Sequence, residues 1–319
     1  MQPFAMALLL ISAFGAFAWS ARRRWQLMRV GAPEARFDRP GERLRLTWEY
    51  ALRQLRMTRY PLAGLAHRVI FAGFVVLLLR SVILWGRGFS PEFNLLLFGP
   101  DQFLGKIYGL AKDVFVLLVL AGTMVFFYYR LVARPARLTH NLDGIIILAI
   151  IAVMMLADVL YDGASFVRRA RADAGAGEPA YVFHAWEPAG SVVQYAVAGA
   201  SDGGVGVLQH LGFWTHSVLV LLFLNLLPYS KHFHVITAIP NVYFQNLHPP
   251  GRLPPIEDLE GRLEREETLG VRRITQFSWK AILDFYTCTE CGRCSDHCPA
   301  TKTGKKLSPK HFTVDLRNF

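Results

Sequence analysis

Cysteine is scarce in this sequence, and acidic residues are fewer than basic ones. Only four cysteines occur among 319 residues, and all of them lie between positions 288 and 298. No repeat with a period of roughly 20 to 50 residues is visible, which excludes a solenoid. Against 24 acidic residues stand 35 lysines and arginines, a balance typical of nucleic-acid binding when the basic residues cluster on a soluble face. Here they flank apolar runs, which favours a membrane protein without a nucleic-acid partner.

Apolar residues are abundant, making up 53% of the chain. A hydrocarbon core about 30 Å thick requires about 20 mainly apolar residues in a helix that crosses it. Five runs of the sequence qualify, so we predict an all-α membrane protein in contact with lipid. The predicted spans are 4–19, 62–85, 109–129, 144–161 and 205–227.

Arginine is distributed unevenly among the loops between these spans. The loop between the first two spans carries eleven arginines, and the loop after the third carries Arg130, Arg134 and Arg137. Cytoplasmic loops are the ones enriched in lysine and arginine. We therefore predict a multi-pass protein of a prokaryotic inner membrane, with its N-terminus outside and its C-terminal segment in the cytoplasm.

Three histidines in or beside the spans are candidate heme ligands. On a continuous helix the eighteen positions between His216 and His234 place both side chains on one face, about 27 Å apart, although Pro228 can interrupt that helix. His67 lies at the start of the second span and is expected at the membrane depth of His234. Two facing imidazoles can bind heme iron from both sides. We predict one or two hemes b, with His67 and His234 on the first, His216 on the second, and His232 as the rival of His234.

Charged residues also occur within or close to the spans. Arg80 requires a counter-charge, for which we predict a heme propionate, with snorkelling to the interface as the alternative. Lys112, Asp113, Asp158 and Asp162 are expected to be solvated at span ends. Asp113 is the first candidate for an acid that exchanges protons with a bound quinone.

The cysteines carry the most specific pattern in the chain. Cys288, Cys291, Cys294 and Cys298 form C-x2-C-x2-C-x3-C, followed by Pro299. This is the bacterial iron–sulfur run, whereas zinc sites usually separate two C-x2-C pairs by a longer arm. Disulfides are rare in the cytoplasm. The pattern predicts a [4Fe–4S] cluster.

In two-cluster ferredoxins the fourth cysteine of such a run binds the other cluster. A second cluster, completed by another chain or segment, is therefore the alternative to a single local one. We predict three parts: a five-helix transmembrane cytochrome b domain over 1–238, a cytoplasmic linker over 239–277, and an incomplete ferredoxin-type segment over 278–319. Ser278 is the predicted N-cap of a helix leading into the cysteines, and a last helix is expected to start at Ser308 and Pro309.

The spans with their three histidines resemble the cytochrome b subunit of respiratory nitrate reductases. The segments LPYSKHFHVITAIPNVYF and WKAILDFYTCTECGRCSDHCPATKTGKKLSPK are similar to heterodisulfide-reductase-related membrane iron–sulfur proteins. Those proteins join a five-helix cytochrome b domain to a ferredoxin-like domain. Where the nitrate reductase subunit has a second heme ligand on helix two, this chain has Leu77, so His184 becomes the candidate partner of His216.

The resemblance implies a quinone-linked oxidoreductase. It would pass electrons between menaquinone or ubiquinone and a cytoplasmic redox protein, such as an electron-transfer flavoprotein or a heterodisulfide-type enzyme, with a further iron–sulfur or cysteine-rich subunit. The alternative is a non-catalytic membrane anchor and electron conduit within a larger respiratory complex. A redox-sensing channel ranks last, because it needs polar residues in mid-membrane and Asn225 is the main one visible in the spans.

Overall fold

Helices make up the regular structure of this protein. The computed structural model describes residues 2–175, 177–249, 255–256 and 258–318, and within these ranges an isolated bridge between Ala32 and Ser278 is the only β-type pairing. The α-helices are α1 (Pro3–Met28), α2 (Pro40–Thr47), α3 (Pro61–Phe89), α4 (Phe103–Tyr128), α5 (Leu142–Ala174), α6 (Pro188–Val197), α7 (Asp202–Leu226), α8 (His234–Tyr243), α9 (Leu259–Glu264), α10 (Trp279–Thr287), α11 (Arg293–Asp296), α12 (Pro299–Lys302) and α13 (Pro309–Asn318).

Five of these helices are long and apolar enough to cross a membrane. They are α1, α3, α4 with the turn that follows it to Ala133, α5, and α7 with its extension to Tyr229. Each contains one predicted span, so the prediction of an all-α membrane protein with five spans is confirmed by length and composition. The helices are longer than the apolar runs because backbone hydrogen bonding continues into their polar flanks; α5, for example, continues from Tyr161 to Ala174.

The segment between His216 and His234 is not one helix. Helix α7 ends at Leu226, 3₁₀ turns occupy Leu227–Tyr229 and Lys231–Phe233, and α8 begins at His234. Pro228 lies at the break, where it lacks the amide hydrogen that an α-helix requires. The prediction that both histidines share one helix face is therefore wrong.

The chain divides into two compact units. The first consists of Met1–Ala16, Met57–Pro135 and His140–Asn225, and the second of Phe17–Arg56, Ala136–Thr139 and Leu226–Phe319. In the first unit, Met6, Leu84, Tyr161 and Phe213 form a buried apolar cluster. The second unit contains His234 and all four cysteines. The predicted domain bounds, 1–238, 239–277 and 278–319, stay a prediction.

The two helix starts predicted near the C-terminus are confirmed. The Ser278 hydroxyl accepts a hydrogen bond from the Ala281 amide at 3.2 Å and caps α10. Helix α13 begins at Pro309, as its preference for the first helical position predicts. Within the acidic stretch over 256–270, α9 covers six residues.

Candidate functional site

The cysteines lie in one short helix of the second unit and in the loop segments beside it. Cys288 follows α10 directly, Cys294 lies in α11, and Cys298 precedes α12. Between the first two cysteines and α11, Gly292 adopts a φ of 72°, and a Cβ there would come within 2.0 Å of the Arg137 carbonyl oxygen. Only glycine fits this turn, which brings the backbone of the cysteine loop against Arg137.

Basic side chains hold the cysteine loop by donating to its carbonyl and sulfur atoms. Arg137 Nη1 donates to the Cys291 carbonyl at 2.9 Å, and Arg317 Nη1 donates to the Cys288 carbonyl at 3.2 Å. Arg293 Nε lies 3.2 Å from the Cys291 sulfur. Hydrogen bonds to cysteine sulfur are one of the means by which proteins tune iron–sulfur clusters. Arg293 is thus a donor to a cysteine sulfur, whereas Arg137 and Arg317 hold the backbone of the loop.

The thiols differ in how readily they ionise. Burial raises the pKa of the Cys288 thiol. Burial acts in the same direction on Cys291, but the charge and hydrogen bonds of Arg293 outweigh it, so the pKa of Cys291 lies below its ordinary value. Backbone N–H groups of Thr301 and Ala300 lower the pKa of Cys298. Two of the four sulfurs are therefore predisposed to the thiolate form that binds iron.

Among the residues that the structure describes, no three histidine, cysteine or acidic side chains are grouped so as to bind a single metal ion. The cysteines of a cubane surround four irons and stand farther apart than the ligands of one ion. This observation therefore does not test the predicted cluster. The cysteine spacing and the surrounding N–H donors fit a [4Fe–4S] cluster held by Cys288, Cys291, Cys294 and Cys298.

Glu290 is a buried acid inside the cysteine run, and sequence reasoning missed it. Its carboxylate accepts a hydrogen bond from Arg317 and lies 3.8 Å from Lys231 Nζ. Burial raises the pKa of Glu290, but these two cations outweigh burial and hold the pKa below its ordinary value. Glu290 thereby ties the cysteine loop to α13 and to the turn before His234. Its φ of 57° marks a strained position that could not be read from the sequence.

His234 lies in the same unit as the cysteines, at the start of α8. Its Nδ1 is 3.1 Å from the Lys231 carbonyl oxygen, and a carbonyl can only accept, so Nδ1 carries the hydrogen and Nε2 the lone pair. Burial lowers the pKa of His234, and the bond to Lys231 opposes this more weakly. A neutral imidazole with its Nε2 lone pair set by a backbone carbonyl is the form that binds heme iron.

Helix α8 packs against the helix that leads into the cysteines. The Thr287 hydroxyl donates to the Thr237 hydroxyl at 3.0 Å, and the rings of Phe233 and Tyr286 meet with centroids 6.3 Å apart. Thr287 directly precedes Cys288 in the chain. The structure thus brings the helix of His234 into direct contact with the helix that ends at the first cysteine.

In the first unit, charged residues from several helices meet in the interior. The group has six members. Five of these residues are at most 3% exposed, and the sixth, Glu187, has a side chain that is 25% exposed. The expectation that the charges of α4 and α5 are solvated at span ends is therefore wrong. We call this group the buried ion network: Arg80, Lys112, Asp113, Asp158, Asp162 and Glu187.

Arg80 on α3 lies at the centre of the network. Its Nε donates to Asp158 Oδ1 at 2.8 Å, and its Nη2 donates to Asp162. The guanidinium also lies over the ring of Tyr161, with 5.5 Å between its carbon and the ring centroid. The predicted need for a counter-charge is confirmed, and two aspartates of α5 provide it. The contact with a heme propionate stays a prediction.

Lys112 on α4 extends the network towards α6. Its Nζ donates to Asp162, and it lies 2.9 Å from Asp113 Oδ1 and 3.2 Å from Glu187 Oε1. The other oxygen of Asp113 accepts from the Ala189 amide at 2.7 Å. Asp113 therefore joins α4 to the first turn of α6. Its predicted role as a quinone acid stays a prediction.

The candidate heme histidines of the first unit, with His184 as the candidate partner of His216, have different surroundings. His216 is 1% exposed, with Nε2 3.2 Å from Ser81 Oγ and Nδ1 3.7 Å from Asp158 Oδ1. His67 lies on α3 in the first unit and is half-buried. The ring of His184 packs against Phe166, with centroids 4.5 Å apart. The pairing of His67 with His234 rests on the sequence alone.

Comparison with known proteins adds relatives that are much longer than this chain. No family model and no solved structure matches it. It is 28% identical over 317 residues to the probable iron-sulfur-binding oxidoreductase FadF of Bacillus subtilis, and 30% identical over 312 residues to the EtfAB:quinone oxidoreductase of Syntrophomonas wolfei. These alignments cover 98% and 96% of the chain but 42% and 41% of the relatives.

A shorter match involves a different kind of protein. The probable membrane-anchored ferredoxin of Chromohalobacter salexigens is 38% identical over 53 residues, which is 17% of this chain and 8% of that protein. The chain spans about two fifths of the length of the two larger relatives. Over nearly all of its own length, it is therefore similar to part of proteins named as iron–sulfur or quinone oxidoreductases.

Proposed function

We propose that this chain is the membrane electron-transfer part of a quinone-linked oxidoreductase. Electrons would pass between menaquinone or ubiquinone and a soluble redox protein, through heme b and the [4Fe–4S] cluster. A relative named EtfAB:quinone oxidoreductase supports electron-transfer flavoprotein as that soluble partner. The arginine-rich loops support a prokaryotic inner membrane with the cysteines on the cytoplasmic side.

The contact between α8 and α10 is the observation that carries this proposal. Thr237 lies three residues after His234, and Thr287 lies one residue before Cys288. Their hydroxyl groups are 3.0 Å apart. The proposed heme ligand and the first proposed cluster ligand are thus joined by a short run of covalent bonds and one hydrogen bond, inside one compact unit.

We propose His234 as the heme ligand, with His232 as its rival. The bond from Nδ1 to the Lys231 carbonyl orients the ring and selects its Nε2 lone pair. We propose His67 as the opposite ligand, from its predicted depth in the membrane. Heme held by two histidines supplies a one-electron carrier without an open iron position, which suits electron transfer.

A spectrum of the purified chain tests the proposal. We expect a reduced-minus-oxidised difference with b-type bands, together with about four cluster irons per chain in addition to heme iron. His234→Gln should remove the b-type bands, whereas His232→Gln, the matched control two residues away, should keep them. A wild-type chain without b-type bands would overturn the proposal.

A reduced quinol analogue separates an oxidoreductase from a passive conduit. If this chain reacts with quinol by itself, the analogue should reduce the heme in the purified protein. Heme that dithionite reduces but the quinol analogue does not would assign the chain to the conduit role and place the quinone reaction elsewhere in the larger assembly.

A further inference from the structure

The surroundings of His216 differ from those expected of a heme ligand. An axial histidine must direct a ring nitrogen at the iron and leave that edge of the ring to the cofactor. His216 is 1% exposed, its Nε2 faces the Ser81 hydroxyl at 3.2 Å, and its Nδ1 faces Asp158 at 3.7 Å. The Ser81 hydroxyl therefore occupies the Nε2 edge of the ring. Nδ1 is buried beside Asp158 and makes no hydrogen bond with the residues that the structure describes.

The groups around His216 are themselves held by further contacts. Asp158 is bound by Arg80, which also binds Asp162 on the next turn of α5. The Ser81 hydroxyl lies 3.2 Å from the Leu77 carbonyl of its own helix. These groups are buried, and separating a buried ion pair leaves an uncompensated charge. The side chains next to His216 therefore cannot readily move aside for a cofactor.

A second ligand is also missing from the helix that faces His216. Helix α3 contains one histidine, His67, which is fourteen residues before Ser81 and so about 21 Å away along the helix axis. At the level of Ser81 the helix presents Leu77, buried with 7% exposure, and the charged side chain of Arg80. Neither residue binds heme iron in the way that the predicted pair of histidines does.

We infer that His216 belongs to the buried ion network and binds no heme, so that the chain carries a single heme. The inference rests on the proposed function, because it assumes heme at His234. His216 acts as a positioning residue that links α7 to Ser81 of α3 and to Asp158 of α5. The predicted pair of hemes along α7 is thereby reduced to one, and electrons do not cross the bilayer through two stacked hemes.

The test counts hemes in the purified full chain and in three variants. Heme per protein is measured by pyridine hemochrome, and a redox titration of the b-type band shows the number of one-electron waves. We expect one heme and one wave in the wild type. His216→Gln should keep that heme, as should His210→Gln, the exposed control on the same helix. His234→Gln should lose it.

Each outcome has a distinct meaning. Two hemes in the wild type, with one lost in His216→Gln, would overturn the inference and leave the proposed function intact. Absence of heme from the wild type would overturn both. If His216→Gln fails to fold, the heme content and the number of one-electron waves of the wild type decide the inference, because a second heme would overturn it. As a positioning residue, His216 should also show itself in stability: His216→Gln should unfold at a lower temperature than His210→Gln while both retain heme.

Discussion

Replacing Arg80 tests the energetics of the buried ion network. In Arg80→Gln, Asp158 loses the cation at 2.8 Å and stays buried with 0% exposure. Asp162 keeps its bond to Lys112, so the main loss falls on one carboxylate. Removing one partner of a buried pair costs about 3 to 5 kcal/mol. The folding equilibrium constant should fall by roughly a hundred- to several-thousand-fold.

The assay is unfolding in mixed detergent micelles, followed by helical circular dichroism. Arg168→Gln is the control, because Arg168 is an exposed arginine of the same unit and surface substitutions usually change stability by about 0.5 kcal/mol or less. The double variant Arg80→Gln with Asp158→Asn removes both charges and should recover more than half of the loss. If Arg80→Gln is as stable as Arg168→Gln, the reasoning about a buried, ion-paired network is refuted.

Three further predictions concern the two proposed sites. Asp113→Asn should slow heme reduction by a quinol analogue and leave the heme content unchanged. An unaltered rate would show that Asp113 only holds α4 against α6 and takes no part in the quinone reaction. Cys291→Ser should abolish the broad iron–sulfur absorption while the b-type bands remain, and loss of both would show that the sites are not independent. The ion pair between Glu290 and Arg317 stabilises the fold fully when the pH is above about 4.5, the ordinary pKa of a glutamate. The pKa of Glu290 is lower in the folded protein, and the stabilisation is lost as the pH falls through that lower pKa. Arg317→Gln should weaken it, so the cluster of this variant should bleach at a higher pH than that of the wild type in an acid titration followed by absorbance.

The main features of the helical architecture were predictable because they depend on local chemistry. A run of about 20 apolar residues can satisfy its backbone in a membrane only as a helix, and the five runs all lie in long helices. Ser278 and Pro309 act on the first turn of their own helices, so the starts of α10 and α13 were also readable. The break after Leu226 was harder, since Pro228 permits either a kink or a termination and the packing of the following residues decides between them.

The candidate site was predictable only in part. The cysteine spacing identifies the cluster ligands, because adjacent turns of one loop bring them together. Arg137 and Arg317 lie far from the cysteines in the sequence, and their contacts with the loop depend on how the chain folds back. Glu290 looked like an ordinary surface acid, whereas it is 7% exposed and paired with cations.

For the charged residues within the spans, the sequence predicted the need for a partner but not which residue provides it. Arg80 signalled by itself that it required a counter-charge, because an ion within a span is costly without one. Which group supplies that charge depends on the rotation of α5 about its axis, which hydropathy leaves undetermined. The sequence alone determined five spans, a four-cysteine cluster motif and a set of candidate histidines. Tertiary packing decided that Asp158 and Asp162 face Arg80, that His216 is enclosed beside them, and that α8 meets the helix leading to Cys288, because such contacts join residues that no local pattern connects.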